Sequence, residues 1–111
     1  MSIFSETIEL NEKAKDKALR PLVLKTNQAD AMDKVIHFLE ANGFTVDDIS
    51  KDFYEVFAFE DERELTFSFV NDGGKTSVGI VLFTKRHKFS KKKYLLKLVE
   101  QLKQELKNYL I

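Results

Sequence analysis

Set on a helix at about 100° per residue, residues 94–110 separate into two halves. Tyr94, Leu95, Leu98, Val99, Leu102, Leu106, Tyr109 and Leu110 fall on one half, while Lys97, Glu100, Gln101, Lys103, Gln104, Lys107 and Asn108 fall on the other. Only Glu105 and Leu96 lie near the wrong edges. So broad an apolar stripe suits a helix laid on a sheet or core, and the segment is too short for a coiled-coil seam. Ser90 is a natural N-cap for it. A second helix is predicted from Gln28 to Asn42, capped by Thr26 or Asn27 and followed by Gly43 at the position that favours positive φ. Met32, Val35, Ile36, Phe38 and Leu39 form its buried face, and Asp30, Asp33, Lys34, His37 and Glu40 its wet one.

Between the helices the period changes to two. Phe53–Phe59, Leu65–Val70 and Val78–Thr84 are rich in aromatic and β-branched residues and read as strands. Asn71-Asp72-Gly73-Gly74 is a hairpin turn, offering residues that tolerate positive φ. Glu60-Asp61-Glu62 is a weaker turn of the same kind. Residues 21–26 form a further strand with Pro21 at its entry, and residues 44–49 either extend the 53–59 strand or stand alone. The implied order is strand, helix, three-strand meander, helix. This is an α+β fold: a three- to five-stranded, mostly antiparallel sheet with two helices packed on one face. Residues 21–111 form one domain. Residues 1–20 are an N-terminal segment, read as a short helix in preference to an edge strand.

The strands are apolar on both sides. Phe53, Phe57 and Phe59 alternate with Tyr54, Val56 and Ala58, and Val78, Ile80 and Leu82 alternate with Val81 and Phe83. Two helices cover one face only, and a large bare apolar patch is unusual on a soluble monomer. The N-terminal segment, a second copy of the chain in a homodimer, or an apolar small molecule is expected on the other face.

Charge adds a second asymmetry. The formal net charge is zero, yet residues 27–74 carry twelve acids against three bases, a net of −9, and residues 75–111 carry ten bases against two acids, a net of +8. The basic excess peaks at Lys85-Arg86-His87-Lys88, then Lys91, Lys92 and Lys93 after Ser90. A helix N-terminus carries a partial positive charge and disfavours cations, so lysines crowded there break a local rule. An anion held there gains amides, dipole and cations together. The competing reading is a solvated loop whose lysines are drawn to the chain's own acids. Conversely, Glu60, Asp61, Glu62 and Glu64 make an acidic hairpin surface suited to a basic partner.

Catalytic signals are absent. With no cysteine, disulfides, thiolate nucleophiles and cysteine metal sites are excluded. Asp47, Asp48, Asp52 and Glu55 cluster in sequence but lack the spacing of a calcium loop, and no metal or other cofactor is expected. His37 sits alone on a polar helix face, and His87 has no serine or carboxylate partner nearby in sequence. Gly43, Gly73, Gly74 and Gly79 match no phosphate loop. Phe67 to Val70 resemble the tail of the strand on which RNA-recognition motifs stack bases. Glu64-Leu65 replaces the basic residue and glycine of that motif, however, and the element order differs, so these aromatics read as core.

No basic n-region with an apolar stretch opens the chain, and no apolar run approaches membrane-spanning length. A cytoplasmic protein without membrane insertion is expected. The composite reading is a small non-enzymatic module acting through protein–protein contacts. Nucleic-acid or phosphate-ligand binding through Lys85–Lys93 is an alternative, and carriage of an apolar small molecule a further one.

Overall fold

The computed structural model describes residues 6–84 and 91–111. In chain order the elements are β1 (Glu6–Glu9), a 3₁₀ turn (Lys17–Leu19), β2 (Leu22–Leu24), α1 (Gln28–Ala41), β3 (Thr45–Ser50), β4 (Glu55–Glu60), β5 (Arg63–Asp72), β6 (Lys75–Thr84), α2 (Lys91–Glu105) and a closing 3₁₀ turn (Lys107–Tyr109). Strands β3 to β6 form an antiparallel meander, and β1 and β2 pair in tandem along the remaining edge of β6. This is an α+β fold with a six-stranded antiparallel sheet.

Local chemistry sets the element ends. The Asn27 side chain accepts from the Asp30 N–H at 2.8 Å and starts α1. At its other end Gly43 takes φ 83°. There the Phe44 N–H donates to the Leu39 carbonyl and the Gly43 N–H to that of Glu40, the paired bonds that satisfy a helix C-terminus. The β5–β6 register runs to Asp72↔Lys75, leaving Gly73-Gly74 as a two-residue turn with φ 60° and 88°, as a type I′ hairpin requires. Asp61 at φ 55° turns β4 into β5.

Both helices pack on one face of the sheet. Val35, Phe38 and Leu39 of α1 and Leu95, Val99 and Leu102 of α2 join Val56, Phe67, Ile80 and Leu82 in one continuous core. Gln28 Nε2 donates to the Phe69 carbonyl at 2.8 Å, and Thr76 Oγ1 to that of Thr26. These bonds fix the entry of α1 against β5 and β6. Phe67 and Phe69 lie in the core at 0% and 2% exposure, so neither presents a ring to a base.

Three boundaries differ from the sequence expectation. The described part of the N-terminal segment, residues 6–20, holds an edge strand and a single 3₁₀ turn where a short helix was expected. β2 covers only the first part of β6 (Leu22↔Val78 to Leu24↔Thr76), and the unpaired backbone groups beyond it are met by Glu6–Glu9 and by the Leu10 N–H on the Ile80 carbonyl. Residues 51–54 form a turn, with Tyr54 at φ 53° and Phe53 78% exposed. Thr45–Ser50 is therefore a separate strand, and the count rises to six. Finally, α2 ends at Glu105 rather than 110, because Leu110 bridges to Leu24. The Lys25 N–H donates to the Tyr109 carbonyl and the Ile111 N–H to that of Val23, closing the outer edge of β2.

Candidate functional site

The sheet face opposite the helices follows from strand alternation. Each residue facing the core has neighbours facing away, and register lines these up in rows across the strands. One row joins Phe83, Glu64 and Phe59. The next joins Val81, Thr66, Phe57 and Asp48. A third joins Gly79, Ser68 and Glu55, and a fourth Ser77 and Val70. Phe57, Val81 and Phe83 are half-buried, Phe59 is 38% exposed and Val70 57%. Among the described residues, no helix or strand lies across them.

The surface is hollowed. A depression of about 350 Å³ lies over Phe57, Phe59, Val81 and Phe83, and a second of about 480 Å³ over Ser68, Val70, Ser77 and Gly79. Asp47, Asp48 and Glu64 border the first, Glu12 and Asp72 the second. Among the described residues, no lysine, arginine or histidine lines either. An apolar floor bordered by carboxylates attracts a ligand that is apolar at its centre and cationic at its margin.

The basic stretch is placed only in part. Lys85, Arg86, His87 and Lys88 lie outside the described residues, as does the proposed cap Ser90. Lys91, Lys92 and Lys93 stand in the first turn of α2, where no acid accompanies them. Lys91 is half-buried, and neither it nor Lys93 is without a partner.

The acidic hairpin tip divides. The Tyr94 hydroxyl donates to Glu60 Oε1 at 2.9 Å, the Arg63 guanidinium lies 4.3 Å from the centre of the Tyr94 ring, and Arg63 Nη1 is 4.0 Å from Asp61 Oδ2. Glu62 is exposed and also has a partner. Burial, the hydrogen bond to Glu60 and the Glu60 charge push the Tyr94 phenol well above its ordinary range, with Arg63 acting the other way. These groups bind the β4–β5 hairpin to the start of α2. Of the expected acidic surface, Glu64 borders the open face. Of the other acids that border its hollows, Asp47 and Asp48 come from β3, Asp72 from the far end of β5 and Glu12 from the segment after β1; sequence spacing grouped only Asp47 and Asp48. The legible signal was the two-sided apolar pattern of β4 and β6.

Among the described residues, no group of three His, Asp or Glu side chains stands close enough to hold a metal ion, and no helix is long and apolar enough to cross a membrane. His37 is exposed on α1. No protein-family model matches the chain, and no curated protein matches its sequence.

Proposed function

We propose that this protein is a non-enzymatic module that binds another protein through the open face of its sheet. The observation that carries this reading is the row structure of that face. Phe57, Phe59, Val81 and Phe83 form an apolar floor, with carboxylates around it and no described element of the fold above it. Single exposed apolar residues need no explanation, whereas contiguous ones rimmed by polar groups mark interaction surfaces. The supporting electrostatics are those of orientation and rate: an acidic border steers a basic partner and disfavours acidic ones.

Affinity capture from host lysate, run with the wild-type chain and with Phe83→Ser, tests the reading. A protein that is retained after nuclease treatment and lost with Phe83→Ser supports it. Capture that ignores Phe83→Ser, or vanishes with nuclease, overturns it. Nuclease-sensitive capture would favour the second reading, nucleic-acid or phosphate-ligand binding through Lys85–Lys93.

A further inference from the structure

Resting on that reading, we infer that the occupant of the open face is an amphipathic helix of a partner protein, apolar on the side it lays down and lysine- or arginine-rich along its flanks. Charge selects the sign. Five carboxylates border the two hollows, from Glu12, Asp47, Asp48, Glu64 and Asp72, and among the described residues no basic side chain joins either lining. A second copy of this chain fits poorly there. A two-fold pairing sets the same patch against itself, so the acidic borders would face one another.

Dimensions select the element. The bare strands β4, β5 and β6 lie about 4.8 Å apart, so three of them span about 10 Å, the width of one helix. From Ser77 to Phe83 the strip is about 20 Å long at about 3.3 Å per residue, the length of about thirteen helical residues. One helix therefore covers the strip as α1 and α2 cover the opposite face.

Gly79 gives the face its depth. Gly43, Gly73 and Gly74 have positive φ, which favours glycine, but Gly79 does not, and a Cβ built on it meets nothing within 4 Å. Its backbone and surroundings accept a side chain. A glycine in mid-strand weakens the sheet, so its presence leaves room for a group from outside. A leucine or phenylalanine of the docked helix sits above Gly79 and Ser68, between the Val81–Phe57 row and Val70.

The test uses the full chain and three synthetic peptides of about thirteen residues: a Lys/Leu peptide with an apolar helical stripe, the same composition scrambled, and a Glu/Leu peptide with the same stripe. Binding is followed by calorimetry and by amide shifts in NMR. The expected result is binding of the striped Lys/Leu peptide alone, with shifts at Gly79, Ser68 and Val81, weakened about tenfold or more between about 0.05 and 0.5 M salt. Gly79→Val, with its melting temperature retained or raised, weakens it about tenfold or more, as does Asp48→Asn combined with Glu64→Gln, both at exposed positions. Equal binding of the scrambled or acidic peptide, indifference to both variants, or no binding of any peptide overturns the inference. A particle of twice 12.9 kDa in sedimentation that Phe83→Lys converts to monomer also overturns it, by making a second copy the occupant. None of these results removes a lysate partner lost with Phe83→Ser, so the broader reading stands or falls separately.

Discussion

Gly79→Val isolates the relation between stability and the open face. Residue 79 lies inside β6 opposite Ser68 and faces away from the core. Its φ lies outside the left-handed range and an added Cβ meets nothing within 4 Å, so a side chain introduces neither backbone strain nor a clash. Two gains follow. Restricting the unfolded chain contributes about 0.4–1 kcal/mol, and a β-branched side chain on a pleated surface contributes up to about 1 kcal/mol in strand preference. A net stabilisation of about 1 kcal/mol is expected. At about 2.1 cal/mol/K of unfolding entropy per residue, a chain of 111 residues rises in melting temperature by about 4 °C. Urea denaturation followed by circular dichroism should show a higher midpoint with an unchanged slope, because the surface exposed on unfolding barely alters. A midpoint that falls, by the equivalent of about 1 kcal/mol or more, would refute the reasoning, since it would mean that the space above Gly79 is already filled.

Other consequences separate the two faces and the turns. Gly74→Val places a β-branched side chain at φ 88° and should lower stability by about 1–2 kcal/mol in the same urea assay; an unchanged midpoint would contradict the type I′ turn. Phe67→Ala, at 0% exposure in the core, should cost about 3–5 kcal/mol. Phe83→Ala should cost less than half as much if its ring borders solvent, and equal costs would show the face to be covered. Tyr94→Phe removes the 2.9 Å bond to Glu60 while keeping the ring under Arg63, for a loss of about 1 kcal/mol near neutral pH. The phenol is held above its ordinary value of 10.0 by burial first and then by Glu60. Between the two values the native state keeps a proton that the unfolded chain has lost, so this contribution is full below about pH 10 and declines above it. The stability difference between wild type and Tyr94→Phe should therefore shrink as pH rises past about 10; a difference that grows would reverse the assignment.

Much of the architecture was written locally. Helix α1, its Asn27 cap and its Gly43 terminus, the Gly73-Gly74 hairpin and the three central strands depend on periodicity and turn chemistry within a few residues, and these are properties of the sequence itself. The two-sided apolar character of β4 and β6 was equally visible, and it marked a second apolar face on the sheet. What the sequence left open was pairing. Residues 6–9 alternate too briefly to decide between helix and strand, and the free edge of β6 decided the matter by offering unsatisfied backbone groups. Leu110 continues the apolar period of α2, yet the outer edge of β2 draws it out of the helix. Glu60 to Glu64 read as one acidic patch, but Tyr94 reaching over from α2 and Arg63 within the hairpin tie Glu60 and Asp61 into the fold, while Glu64 borders the open face. Asp47 and Glu64 border one hollow and Glu12 and Asp72 the other, and each pair is distant along the chain. Periodicity specifies which side of an element is apolar; only tertiary structure specifies what that side meets, because contacts distant in sequence depend on which edges and faces are left over once the local elements have formed.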